Sequence, residues 1–392
     1  MEAASAPAAS CRPKAAARPA RIGARRGRHD AMHLTVPNLT HYLLARGLLD
    51  TQAVVGGDLL IRDASRRNRN FQVVRQAAPG LFVKQMREMQ TDAMLTLKRE
   101  AACYDYARGV PALARLMPRL IAYDPARHVL VLELVAGAES LADYHAREKS
   151  FPTEIGALLG EGLGLYHAHA GDIGADPTMA GLFARQVPVI LTLGHGGHAM
   201  LGQFGHIGPA LSGLIARHPE FQAALDALGD EWRFDSLIHG DMKWDNMLVF
   251  TGAAGGRDFR IVDWELADLG DADWDVGAVL QSFLATWILS MPIGAGLAPQ
   301  HYVGMAGQKL ETMRPVLHAF WDRYAATRGI AEDRRRPALE RCMRYGAARL
   351  VWTALEQRLY QAELDAHGTA LLQVALNILL DPPRAVRELL DA

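Results

Sequence analysis

Two carboxylates and one amide, placed on strand ends and on a tight loop, are the residues of this chain best suited to chemistry. The run Ile238-His239-Gly240-Asp241-Met242-Lys243-Trp244-Asp245-Asn246-Met247-Leu248-Val249 sets a polar cluster between apolar, strand-like residues. Past a Gly-rich turn follows Arg260-Ile261-Val262-Asp263-Trp264-Glu265. This pattern predicts a tight loop between two short strands, then a third strand ending in an acid. Phosphoryl transfer from a nucleotide needs such a set: one carboxylate to orient the attacking hydroxyl, and a second carboxylate with an amide oxygen to hold Mg²⁺ against the phosphates. Asp241 fits the first role; Asn246 and Asp263 fit the second.

The order Asp, then Asn five residues on, then a strand-borne Asp resembles the catalytic and metal loops of the protein-kinase-like superfamily. Gly240 after His239, where protein kinases carry Arg, and Trp264-Glu265 after Asp263 make the chain similar to the aminoglycoside phosphotransferase and choline kinase branch. Downstream, Gly270-Asp271-Ala272-Asp273-Trp274-Asp275-Val276-Gly277 resembles that branch's Gly-Asp-Pro-x-x-Asp-hydrophobic-Ala signature, with Ala272 in place of Pro and Gly277 in place of Ala. The resemblance implies an α+β bilobal protein-kinase-like fold, with a small antiparallel-sheet N-lobe and a larger, mainly helical C-lobe. It also implies ATP and Mg²⁺ as cofactors, and Asp275 as a brace that accepts backbone N–H bonds from the catalytic loop.

The elements that would position these groups can be read along the chain. Residues 34–49 suit an amphipathic helix ended by Gly47. Short β-rich runs at Val54-Val55, Leu59 to Ile61, Phe71 to Val74 and Leu81 to Val83, with a hairpin from Leu120 to Leu134 over Asp124-Pro125-Ala126-Arg127, predict an antiparallel sheet. Lys84 ends one strand, and Glu100 lies on a helix predicted over Thr91 to Arg108. The resemblance makes Lys84 the residue that holds the α- and β-phosphates and Glu100 (with Glu88 as second candidate) its ion-pair partner. It makes residues 63–70 the loop over the phosphates, through the backbone N–H of Ser65 and the charges of Arg66, Arg67 and Arg69. It places Glu133 and Val135 at the adenine edge between the lobes. The expected division is a tail over 1–31, a nucleotide-binding N-lobe over 32–135 and a helical C-lobe over 136–392.

Composition narrows the class. A chain of 392 residues, half of them hydrophobic, can bury one large core or two domains. A formal net charge of -1 gives no reason to expect nucleic acid or a membrane surface as partner. Cys11, Cys103 and Cys342 lie far apart and read as reduced thiols of a cytoplasmic protein. Residues 1–31, rich in Ala, Pro and Arg and without an apolar h-region, read as a disordered tail. The uncharged stretch from Ala278 to Pro299 has the length of a membrane span, but Gln281, Pro292 and its glycines favour a buried helix followed by a loop. The Gly- and His-rich segment 194–208 carries His195, His198 and His206 without an accompanying acid or Cys, and reads as a mobile segment near the acceptor rather than a metal site. The oligomeric state has no signature in the sequence.

The acceptor is expected to be a hydroxyl of a small molecule, aminoglycoside- or choline-like. A dense acidic run (Asp263, Glu265, Asp268, Asp271, Asp273, Asp275) would attract a cation. Against this, Lys243 two residues after Asp241 resembles the Asp-x-Lys-x-x-Asn loop of Ser/Thr protein kinases, where Lys helps hold the γ-phosphate. Residues 65–71 with Phe82-Val83-Lys84-Gln85 resemble the kinase-like enzymes of ribosomal-peptide natural-product clusters, so Ser/Thr of a precursor peptide is the alternative acceptor. The rival class is a non-catalytic kinase-like scaffold; such proteins lack one of Lys84, Glu100, Asp241, Asn246 and Asp263, and this chain has all five.

Overall fold

Val129, Leu130, Val131 and Leu132 are all buried, which a strand achieves only when both faces of its sheet are covered. The computed structural model describes residues 33–65, 68–87, 91–171, 179, 181–294, 299–360 and 363–391. Residues 1–31, Arg66, Arg67 and Glu88 lie outside them. The sheet has five strands: β1 (Leu60–Asp63), β2 (Arg69–Val74), β3 (Leu81–Gln85), β4 (Leu120–Asp124) and β5 (Val129–Glu133). Their order is β1-β2-β3-β5-β4, antiparallel throughout, and the β3–β5 register sets Lys84 opposite Leu130. Alternation decides which side chains go where. Phe71, Val73, Val83, Val129 and Val131 pack with Leu39, Tyr42 and Leu43 of the Val36–Ala45 helix. Leu130 and Leu132 face the other way, toward Leu97, Ala101 and Tyr104 of the Thr91–Gly109 helix.

One expected strand is a helix. Val54-Val55 ends the helical turn Thr51–Val55, because Asp50 caps it by accepting the Ala53 N–H at 2.6 Å. Val55 is 84% exposed, so its β-branched side chain follows local capping rather than packing.

The C-terminal part is helical around the Ala272–Leu289 helix, which is buried along almost its whole length. Among the described residues no helix is long and apolar enough to cross a membrane. Two glycine contacts set helix distances. Gly156, Gly160 and Gly164 of the Thr153–Ala170 helix lie flush on the Leu310–Arg328 helix; a Cβ at Gly156 or Gly160 would come within 2.2 Å of the carbonyl oxygens of Val316 and Phe320. Gly277 meets Gly346 of the Glu332–Glu356 helix, where a Cβ on Gly277 would lie 2.7 Å from the Gly346 nitrogen. Short strands complete the region: β6 (Glu139–Ser140), β7 (Ser236–Ile238), β8 (Met247–Thr251), β9 (Arg257–Ile261) and β10 (Asp268–Gly270). The β6-β8-β9 and β10-β7 pairings hold the loops described next. This is a bilobal kinase-like fold.

Candidate active site

Asp241 follows β7 on a loop whose shape is fixed by backbone bonds. Gly240 has φ +81, and a Cβ there would lie 2.5 Å from the Leu266 carbonyl oxygen, so a side chain is excluded twice over. His239 accepts the Asp241 N–H at Nδ1 (3.2 Å) and donates Nε2–H to the Val262 carbonyl (2.9 Å), which sets its tautomer and ties the loop to the residue just before Asp263, past the end of β9. Asp275 accepts the backbone N–H of His239 at 2.7 Å and of Gly240 at 3.0 Å, as the resemblance implies. His167, itself bonded to the Tyr324 hydroxyl, backs Asp275.

The Asp241 carboxylate is buried between two cations. Lys243 Nζ is 2.6 Å from Oδ2, and Arg349 Nη2 is 2.8 Å from Oδ1. Burial alone would raise this carboxyl; Arg349 and then Lys243 outweigh it and hold the group well below the usual carboxylate range. Sequence reasoning found Lys243 and missed Arg349. The available signal was one cation inside the otherwise apolar helical run Gly346 to Leu355.

Lys84 has the complementary surroundings. Its buried ammonium is 2.7 Å from Glu100 Oε2 and 3.0 Å from Glu265 Oε2, and also contacts Asp263 Oδ1. Burial would lower the lysine, but Glu100, Asp263 and Glu265 together hold it well above its ordinary range. Burial pushes Glu100 up to about 7 despite Lys84 beside it. Asn68, from the expected phosphate loop, donates to Glu265 at 2.9 Å and joins the cluster.

Asn246 and Asp263 are brought together by the β8–β9 pair, with the Val262 N–H donating to the Asn246 carbonyl at 3.0 Å. The Asn246 side-chain nitrogen donates to the Asp241 carbonyl at 2.9 Å, so its oxygen is the atom left for a ligand. Asp263 adopts φ +68, a left-handed conformation that Asp and Asn tolerate better than other side-chain-bearing residues. Hard oxygen donors of this kind fit Mg²⁺. Glu100, Asp263 and Glu265 also bring carboxylate oxygens within 4.8 Å of one another.

Other expected residues are placed differently. The Ser65 N–H donates to Asp63 Oδ1 at 2.8 Å and its hydroxyl pairs with Asn70, so that amide is already used within the β1–β2 turn. Arg69 reaches back to the Leu34 carbonyl. The Glu133 N–H is taken by the Arg119 carbonyl at 2.9 Å, and half-exposed Val135 follows it in the crossing segment. His198 is held by Ser212 and Gln222 at its two ring nitrogens, which leaves neither for a metal.

Each carboxylate of the acidic run already has a partner within the fold, and three cations offset part of its charge. Asp263 and Glu265 face Lys84, and Asp268 caps the N–H groups of Arg185 and Gln186. Asp271 and Asp273 are paired with Arg233 and Arg341, and Asp275 is the brace.

The profile of the phosphotransferase enzyme family matches residues 60–316, well over half of the chain, and the chain belongs to that family. No curated protein sequence matches it. Among solved structures it is similar to a choline kinase from Cryptosporidium parvum Iowa II (12% identity, 86% of this chain and 96% of that one, TM-score 0.48). It is similar to a choline/ethanolamine kinase family protein from Mesorhizobium loti (15% identity, 88% and 94%, TM-score 0.47). A third is the macrolide 2'-phosphotransferase MphH from Brachybacterium faecium (17% identity, 87% and 98%, TM-score 0.47).

Proposed function

We propose that the chain is an ATP- and Mg²⁺-dependent phosphotransferase acting on a hydroxyl of a small molecule. The observation that carries this reading is the Asp241 loop joined through His239 to the segment that leads to Asp263, with Asn246 bonded to Asp241 and Lys84 paired with Asp263. Asn246 and Asp263 would hold the metal, which when bound neutralises charge on the transferring phosphates and positions them. Lys84, oriented by Glu100, would turn from Asp263 to the α- and β-phosphates. Asp241 would accept a hydrogen bond from the acceptor hydroxyl and take its proton as the oxygen–phosphorus bond forms and the bond to the departing nucleoside diphosphate breaks. Its depressed basicity suits this reaction, which asks for orientation more than for a strong base. Ser65, Glu133 and Val135 remain candidates for nucleotide contact; for Ser65 and Glu133 this falls to groups other than the N–H bonds already made.

Because each carboxylate of the acidic run is already engaged by groups from other segments, a small-molecule acceptor need not be cationic. Lys243, which lies against Asp241, supports a second reading, a Ser/Thr peptide hydroxyl, since the Asp-x-Lys loop it resembles uses that Lys to help hold the γ-phosphate. The test is phosphoryl transfer from ATP with Mg²⁺ to a panel of aminoglycosides, choline-like amines, neutral alcohols and Ser/Thr peptides. Transfer to a small hydroxyl compound, lost in Asp241→Asn, supports the first reading. Transfer confined to peptides and abolished by Lys243→Ala supports the second. Nucleotide binding without turnover on any acceptor supports the scaffold class.

A further inference from the structure

The Glu332–Glu356 helix sends three polar side chains, spaced four residues apart, toward the catalytic loop and its supports. Arg341 pairs with Asp271 and Asp273, the Tyr345 hydroxyl bonds Asp271 at 3.1 Å, and Arg349 reaches Asp241. Arg349 is 6% exposed, and three neighbours fix its guanidinium. They are the Asp241 Oδ1 at 2.8 Å, the Gly240 carbonyl at 3.5 Å, and the Trp274 ring, whose centroid is 5.5 Å away. Its reach depends on the glycine contact one turn earlier. A Cβ on Gly277 would lie 2.7 Å from the Gly346 nitrogen and 2.8 Å from the Cys342 carbonyl oxygen, so the two helices approach this closely only because both positions are glycine. Gly277 is also where the chain departs from the Ala of the signature noted above.

We propose that Arg349 is a positioning residue for phosphoryl transfer. It holds Oδ1 of Asp241, so that Oδ2, which also accepts from the Asn246 amide at 3.3 Å, faces the acceptor hydroxyl once Lys243 moves from it to the phosphoryl group, and the Gly277–Gly346 contact delivers it. The inference rests on the phosphotransferase reading. A guanidinium matters here because its planar group spans Asp241 and Gly240 at once, which an ammonium does not. A carboxylate free to rotate would present its oxygen to the hydroxyl only part of the time, and misplacement by about 1 Å costs on the order of 10²-fold in rate.

The experiment uses the full chain with the best acceptor from the panel. Arg349→Met is expected to lower kcat about 10²-fold with the KM for ATP nearly unchanged. Arg349→Lys should recover part of kcat, and free guanidinium should rescue Arg349→Ala but not Asp241→Asn. Gly277→Ala, made on the other helix, should lower kcat in the same way without altering ATP binding. Arg344→Ala, which removes only the surface pair with Glu231, should leave kcat alone. Wild-type kcat in folded Arg349→Met or in Gly277→Ala would overturn the proposal. So would an equal loss of ATP binding and kcat without guanidinium rescue, since that marks a merely structural arginine. Should Asp241→Asn itself keep wild-type turnover, the underlying reading fails instead, and the two failures are distinguishable.

Discussion

Around Lys84 one ammonium lies among three carboxylates; around Asp241 one carboxylate lies between two cations. Both clusters are buried enough for charge to matter, and they err in opposite directions. The Lys84 cluster has negative charge to spare, which a divalent cation would offset, and in the proposed reading its ammonium would be freed for phosphate once a metal engages Asp263. The Asp241 cluster has positive charge to spare, which suits a phosphoryl group arriving from the nucleotide side. In this reading one site is short of a cation and its neighbour short of an anion, and a metal–nucleotide complex supplies both. Buried pairs of this kind add little net stability, because desolvation consumes most of the attraction. Their value lies in where they leave the charges.

The contrast is broken most severely at Asp241. Asp241→Asn and Asp241→Ala should each lower turnover by ~10²–10⁴-fold or more, measured with saturating ATP and acceptor. Asp241→Ala also strands the buried Arg349 guanidinium, so it should melt below Asp241→Asn; removing one partner of a buried pair costs about 3–5 kcal/mol at the upper end. Equal melting temperatures would show that Arg349 finds another partner. On the other side, Asp263→Asn keeps a residue that tolerates φ +68 while removing the charge. ATP affinity measured by titration should then lose most of its Mg²⁺ dependence, with metal-free binding little changed; an unaltered Mg²⁺ dependence removes Asp263 from the metal site.

Glu100 sharpens the comparison through pH. Its carboxyl is raised from the ordinary 4.5 to about 7 in the folded protein, so the folded state binds the proton more tightly. The stability this contributes is complete below about pH 4.5 and lost as pH rises toward 7. Nucleotide-free Glu100→Gln should therefore show a flatter melting curve against pH than wild type across that window. A parallel curve would place the strain elsewhere in the cluster. The smallest effect is expected from starting the chain at Met32. With no apolar periodicity before it, melting should change by a degree or two, since ~1 kcal/mol moves a domain of this size by only a few degrees.

How much of this was legible in the sequence differs between the two clusters. Lys84, Glu100, Asp241, Asn246 and Asp263 all lie at strand ends, on a helix or in a loop whose local patterns are strong, and the structure gathers them as local reading expects. Val54-Val55 misled because a capping aspartate four residues before Val54 outweighs β-propensity in a five-residue segment. That the carboxylate of Asp63 claims the Ser65 amide was not legible, because it depends on how the β1–β2 turn folds. The cations that offset part of the acidity of residues 263–275, Arg233 and Arg341 among them, come from remote segments and leave no mark on the run itself. Arg349 is the extreme case, with a partner 108 positions away and no local signal beyond one charge in an apolar stretch. Helix-to-helix distance set by two glycines is a tertiary fact that periodicity does not encode.

Arg341, Tyr345 and Arg349 all lie beyond the end of the family match at residue 316. During synthesis the ribosome completes the loop, its brace and both expected metal ligands well before it makes the helix that pins the carboxylate. A nascent chain halted near that point would hold the family's recognisable sequence in full and still lack the group that fixes Asp241. On the role proposed for Arg349, full turnover requires that translation has passed that residue, which an activity assay on staged truncations would test.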